Sequence, residues 1–268
     1  MLYNELLYQK PFFILGPCVI ENENLIFQTA EFLIKLKEKY KINIILKSSF
    51  DKANRTSINS FRGPGINEGI KIFKKIKEKF NLPILTDIHL PDQATLIAEA
   101  VDIIQIPAFL CRQTDLLIAA GQTNKIVNIK KGQFLDAESM KYAVLKIEST
   151  GNKKILLTER GTTFGYNNLV VDFRNFIIMK TLGYPIVFDA THSVQRPSAQ
   201  NGKSGGDSHF VPYLARAAAA IPVDGFFFEI HPEPDKALSD GPNMVNFKTI
   251  DNIISDILKI TNSLKESL

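Results

Sequence analysis

The feature that most constrains this chain is an eightfold alternation. A short run of aliphatic, β-branched or aromatic residues, then a turn, then an amphipathic helical pattern recurs along almost the whole sequence. The apolar runs fall at residues 12–15, 43–47, 84–87, 103–106, 126–129, 155–158, 186–189 and 226–230. Each is nearly continuous in its apolar character, as expected of a parallel strand buried under helices. The helical patterns fall at residues 24–40, 67–80, 91–100, 114–120, 137–148, 172–182, 211–221 and 247–264. Pro91 followed by Asp92, and Asp136 with Ser139 close by, read as helix start signals. Eight strands alternating with eight helices are what a closed (β/α)8 barrel (a TIM barrel) requires. An open doubly wound sheet favours a glycine-rich first turn, and Gly16-Pro17-Cys18 is not a dinucleotide fingerprint. The expected architecture is one α/β barrel domain over residues 1–268, with a short N-terminal extension before Lys10 as a cap on its lower end.

Composition narrows the classes of function. No apolar run approaches the roughly 18–20 residues needed to span a bilayer. The stretch 12–20 is broken by Gly16 and Pro17 and has no small-residue cleavage site behind it, so no signal peptide is expected. Two cysteines cannot make a disulfide framework, which favours a reducing, cytoplasmic setting. The formal charge of +4 is mild and suits an enzyme of anionic metabolites, while the lysine-rich helix around Lys71–Lys77 reads as a solvated outer face. No nucleic-acid or membrane partner is expected.

In such barrels chemistry sits at the C-terminal ends of the strands. There the chain places Cys18, then Lys47, Ser49, Lys52, Asn54 and Arg55, then Asp87 and His89, Gln105, Lys130 and Lys131, Glu159 and Arg160, Asp189 and His192, and Glu229 and His231. Charges joined directly to buried strands are costly unless paired or ligated. One such residue means little, but a complete ring of them reads as a site. Its cationic part, Lys47, Lys52, Arg55, Lys131 and Arg160, predicts a substrate with several negative groups. A second part, Cys18, His192, Glu229 and Asp240, offers a thiolate, an imidazole and two carboxylates to a divalent transition metal. No local ligand spacing supports it, and a buried structural Cys18 is the competing reading; Cys111 reads as structural. Lysines at strand ends also admit a Schiff-base aldolase, although each lies among other cations, an arrangement that equally suits anion binding.

Longer segments carry a resemblance. Residues 16–21 (GPCVIE), 47–57 (KSSFDKANRTS), 105–114 (QIPAFLCRQT), 128–133 (NIKKGQ), 159–166 (ERGTTFGY), 188–193 (FDATHS) and 229–234 (EIHPEP), continuing through 237–241 (ALSDG), resemble 3-deoxy-D-manno-octulosonate 8-phosphate synthases over roughly residues 12–251. The resemblance implies condensation of phosphoenolpyruvate with D-arabinose 5-phosphate and water, releasing phosphate, for lipopolysaccharide biosynthesis. Related heptulosonate 7-phosphate synthases, which use erythrose 4-phosphate, usually carry a shorter Lys-Pro-Arg-Thr/Ser where this chain has Lys52-Ala53-Asn54-Arg55-Thr56. That branch and a non-catalytic sugar-phosphate-binding barrel are the alternatives.

The Cys in Gly16-Pro17-Cys18 implies the metal-dependent class, with Cys18, His192, Glu229 and Asp240 as ligands of a divalent ion such as zinc, iron or manganese. By the same resemblance Lys47, Ser49, Lys52 and Gln105 face the phosphoenolpyruvate carboxylate. Lys131, Arg160 and the Ala108 backbone hold its phosphate. Asn54, Arg55, Thr56 and Asp87 bind the sugar phosphate, with Arg112 supplied by a neighbouring subunit of a homo-oligomer, commonly a tetramer. The implied catalytic residues are Cys18, Lys131 and His192. The Gly/Ser-rich segment 195–208 reads as a long loop that closes as a lid.

Overall fold

The computed structural model describes residues 2–9, 11–55, 57–200 and 203–266. Eight parallel strands close on themselves: β1 (Phe12–Gly16), β2 (Ile44–Lys47), β3 (Ile84–Asp87), β4 (Ile103–Ile106), β5 (Ile126–Lys130), β6 (Ile155–Glu159), β7 (Ile186–Asp189) and β8 (Gly225–Glu229). Each pairs with its sequence neighbours, and β1 meets β8 through Phe12↔Gly225 and Gly16↔Glu229. The fold is the expected (β/α)8 barrel. Among the described residues no helix is long and apolar enough to cross a membrane.

Successive side chains on a strand face opposite sides, which separates two cores. Phe12, Ile14, Ile45, Leu85, Ile103, Ile126, Leu156, Val187 and Phe227 pack together inside the barrel. The alternate residues, among them Phe13, Leu15, Ile44, Leu46, Ile104, Ile129, Leu157 and Phe188, pack outward under the helices. The expected N-terminal cap is the helix Leu2–Tyr8, which buries Leu6 in the inner cluster with Leu2 and Tyr3 against it. The barrel is therefore plugged at its lower end.

The helices match the sequence pattern with shifted ends, each for a local reason. The third expected helix, 91–100, contracts to Gln93–Ala98, because the Gln93 side chain turns back to accept from the His89 and Leu90 amides. Asp136 accepts from the Ser139 amide at 2.7 Å and holds a turn, so the regular helix begins at Met140. Asp172 accepts from the Arg174 amide in the same way, ahead of Arg174–Lys180. The largest departure is the segment 195–208. It contains an antiparallel hairpin of Gln195–Gln200 with Lys203–Gly206 instead of a loop. A second small ladder, Thr162–Thr163 with Leu169–Val170, lies beyond β6.

Leu6 seals the barrel, so Leu6→Ala should remove about 2–5 kcal/mol of stability by leaving a cavity under the inner cluster. Urea unfolding checks this; an unchanged midpoint would show that the helix does not plug the barrel.

Candidate functional site

The same alternation builds the site. Continuing each inward row by one or two steps towards the C-terminal end replaces the apolar layer with Lys47 on β2, Asp87 on β3, Gln105 on β4, Asn128 and Lys130 on β5, Thr158 on β6, Asp189 on β7 and Glu229 on β8. Phe227 is the floor beneath them, with the Lys130 ammonium 3.7 Å and the Lys47 ammonium 5.6 Å from its ring centroid. Above lies a cavity of about 530 Å³, lined by Lys47, Lys52, Asn54, Arg55, Asp87, Gln105, Ala108, Lys130, Arg160, His192, Glu229, Ser239 and Asp240, among others. Gly16 permits the tight junction of β1 with β2, since a Cβ there would lie 1.9 Å from the Lys47 carbonyl oxygen.

Three of the four expected ligands converge: the Cys18 sulfur and one oxygen each of Glu229 and Asp240 lie within 4.8 Å of one another. The fourth, His192, adjoins two of them, its Nε2 3.6 Å from Glu229 Oε2 and 4.0 Å from Asp240 Oδ2. His192 Nδ1 is 2.7 Å from Asp189 Oδ2. A carboxylate at Nδ1 fixes the proton there and leaves Nε2 with a free lone pair aimed inward. Glu229 is divided: Oε1 accepts from Lys47 at 2.5 Å, while the buried Oε2 has no hydrogen-bond partner among the described residues. A free imidazole nitrogen, an unpartnered carboxylate oxygen, a thiol and a second carboxylate are a donor set that fits a divalent transition metal.

The electrostatics are those of a dense, compensated site. Burial pushes the Cys18 thiol up to about 12, with Glu229 adding to the effect and Lys52 opposing it. A bound cation reverses that preference, because a coordinating thiol is deprotonated outright. Burial also works against the Glu229 carboxylate, but Lys47, His192 and Lys52 outweigh it and hold the group well below the usual carboxylate range. Asp189 is held low in the same way, burial being outweighed by His192 and Lys130, and Asp87 by Lys52 and His89. Burial lowers the Lys130 pKa, and Asp189 pulls the other way.

Not every expected residue reaches the cavity. Lys131 does not line it; the lysine that does is its neighbour Lys130. Position 131 continues the outward row of Ile129, so Lys131 is fully buried beneath the mouth, 3.5 Å from Glu159 Oε1 and bonded to Thr162 Oγ1 at 3.1 Å. Glu159 likewise continues the outward row of Leu157; it accepts from the Arg160 and Gly161 amides and from Asn175. Ser49 is buried and donates to Asp87. Arg112 is exposed, outside the cavity of its own chain, and Thr56 lies outside the described residues. Cys111 is buried and is not among the three residues of the ligand group. His89 Nε2 approaches Asp87 Oδ2 at 3.1 Å, and His231 faces Glu21 at 3.7 Å; neither lines the cavity. Lys130 was expected in the ring, but with the phosphate role placed on Lys131, and Ser239 had no expected role. Counting by twos from Ile126 finds Lys130, whereas nothing in the sequence singles out Ser239.

The profile of the DAHP synthetase I family matches residues 8–266. The chain belongs to that family. Proteins named 2-dehydro-3-deoxyphosphooctonate aldolase are similar to this chain. One from Desulfatibacillum aliphaticivorans is 57% identical over 92% of this chain and 90% of its own length. One from Campylobacter jejuni serotype O:6 is 53% identical over 97% of this chain and 99% of its own length. One from Geobacter sulfurreducens is 52% identical over 94% and 93% respectively.

The pairing of Lys131 with Glu159 makes a separable prediction for this member of the DAHP synthetase I family. Lys131→Ala leaves a fully buried carboxylate without its cation and should cost about 3–5 kcal/mol in urea unfolding. A stability equal to the parent would place Lys131 in the mouth after all.

Proposed function

We propose that this chain condenses phosphoenolpyruvate with D-arabinose 5-phosphate and water to give 3-deoxy-D-manno-octulosonate 8-phosphate and phosphate, a step of lipopolysaccharide biosynthesis. The observation that carries the reading is a cavity walled by Lys47, Lys52, Arg55, Lys130 and Arg160 above the Cys18–Glu229–Asp240 group. So many cations facing one space match two phosphates and a carboxylate. The aldolases named above, similar over nearly their whole length, support the same reaction.

In this reading Lys47, Lys52 and Gln105 hold the phosphoenolpyruvate carboxylate, with Ser49 acting through Asp87. Lys130 takes the phosphate role first expected of Lys131, beside Arg160 and the Ala108 backbone. Asn54 and Arg55, with Thr56 and Asp87, hold the sugar phosphate, and Arg112 of a neighbouring copy completes that end in a homo-oligomer, a tetramer by resemblance. The setting is cytoplasmic and the unit is one catalytic barrel domain.

The bond forms between C3 of the enol phosphate and the aldehyde carbon, with positive charge developing at C2. Water adds at C2, and the resulting hemiketal phosphate loses phosphate by C–O cleavage. No covalent enzyme intermediate is needed, so alignment and fixed charge supply the rate. Arg160 is already anchored, its Nη2 donating to the His192 carbonyl and to Gln195 Oε1, each at 2.9 Å. Asp189 holds the proton of His192 at Nδ1 and so keeps Nε2 available as a ligand. A divalent cation held by Cys18, His192, Glu229 and Asp240 would supply charge to orient the acceptor, polarise its aldehyde or acidify water.

Phosphate release tests the reading. Activity is expected with arabinose 5-phosphate and not erythrose 4-phosphate, lost on chelation and restored by a divalent transition metal. Preference for erythrose 4-phosphate would move the chain to the heptulosonate branch, and no release with either sugar would leave a silent binder. Arg55→Ala should raise the KM for arabinose 5-phosphate about tenfold or more, the loss of a charge-assisted phosphate contact, while the KM for phosphoenolpyruvate stays within about twofold. Equal effects on both would reject the assignment of Arg55. A lysine adduct trapped by borohydride with either substrate would replace this mechanism with a Schiff-base one.

A further inference from the structure

The segment after β8 that carries Asp240 is held unusually firmly. Glu21, at the end of the first strand's loop, accepts from the Leu238 amide at 2.9 Å. Asp240 sits in the left-handed region at φ 51°, and its carbonyl accepts from the Asn243 amide at 2.9 Å. Gly241 packs so tightly that a Cβ would lie 2.4 Å from the Pro234 carbonyl oxygen. These constraints fix the residue between them, Ser239, which is buried.

The Ser239 hydroxyl touches two groups assigned to different tasks. Its oxygen lies 2.7 Å from the Cys18 sulfur and also accepts from Arg55 Nη2. Arg55 in turn reaches Asp240 Oδ1 at 3.4 Å. The direction of these bonds follows from the donor inventory. A guanidinium has donors only, so Ser239 must accept from Arg55. A ligating thiolate has acceptors only, so the single hydroxyl proton is left for the sulfur. One hydroxyl thus satisfies a cation on one side and an anion on the other.

We propose that Ser239 is a positioning residue that ties the thiolate ligand to the cation holding the acceptor's phosphate, setting the distance between the metal centre and the sugar-phosphate subsite. The inference rests on the reading of Arg55 and Cys18 given above. Ser239 touches no reacting atom; it acts through Cys18 and Arg55. Removing its hydroxyl frees Cys18 and Arg55 together, while the phosphoenolpyruvate contacts at Lys47, Gln105 and Lys130 stay as they are.

The test is Ser239→Ala in the full chain, with three affinities measured alongside the parent. Metal affinity is read by competition with a chromophoric chelator, and the arabinose 5-phosphate and phosphoenolpyruvate affinities by calorimetry on the metal-loaded protein, each substrate alone. The affinities for metal and for arabinose 5-phosphate should each fall about ten- to a hundredfold, the cost of one hydrogen bond to a charged partner, with phosphoenolpyruvate within about twofold. Ser239→Thr, which restores the hydroxyl, should recover the metal affinity. Unchanged metal and sugar affinities in Ser239→Ala, or a parallel loss for phosphoenolpyruvate, would overturn the assignment. A Ser239→Ala protein that melts well below the parent while Ser239→Thr shows the same affinity losses would also overturn it, since the hydroxyl would then not be what matters. Failure of the parent to bind arabinose 5-phosphate would instead overturn the functional reading on which the inference stands.

Discussion

Everything in this molecule depends on the two-residue alternation of strands that have closed into a ring. Closure removes every sheet edge and sends half of each strand's side chains to an interior with no exit sideways. Lower down, that interior is filled by Phe12, Ile14, Ile45, Leu85 and their counterparts on the remaining strands, with Leu6 beneath. One step further along the same rows, the side chains become Lys47, Asp87, Gln105, Asp189 and Glu229. The transition from core to site is one register step, so the site inherits the rigidity of the core.

Placing that many charges on a buried ring is tolerable only because they neutralise one another in pairs. Lys47 meets Glu229, Lys130 meets Asp189, and Lys52 stands 3.9 Å from Glu229. Such pairs are weak evidence for stability, since desolvation consumes much of their attraction. Their consequence here is chemical: carboxylates that burial would protonate stay ionised, and His192 keeps a fixed tautomer against Asp189. The outward-facing Lys131–Glu159 pair plays a different part, anchoring the Arg160 backbone from behind the sheet.

The fold was legible because the barrel repeats one simple pattern eight times, and parallel strands buried on both faces show as unbroken apolar runs. Helix ends were less legible where a side chain, such as Gln93 or Asp136, substitutes for a backbone partner. Most of the ring could be read from residue type alone. Type could not choose between Lys130 and Lys131, however, because that choice belongs to strand parity. The pairing of Gln195–Gln200 with Lys203–Gly206 was hidden because glycine and serine carry little strand preference, and it is set by backbone bonds. Ser239 was invisible in sequence because its importance lies in two contacts, one with Cys18 and the other with Arg55, distant in the chain.

The plug formed by Leu6 and the inner cluster has a consequence for traffic. With the lower end filled, the described residues close the cavity from below, and it opens at the C-terminal ends of the strands. Lys47 and Gln105 lie at its buried end, while Arg55 and Asn54 stand nearer the opening. A molecule seated against the first two lies deeper in the barrel than one seated against the second two. The N-terminal helix, far from any chemistry, thereby closes the lower route to the site.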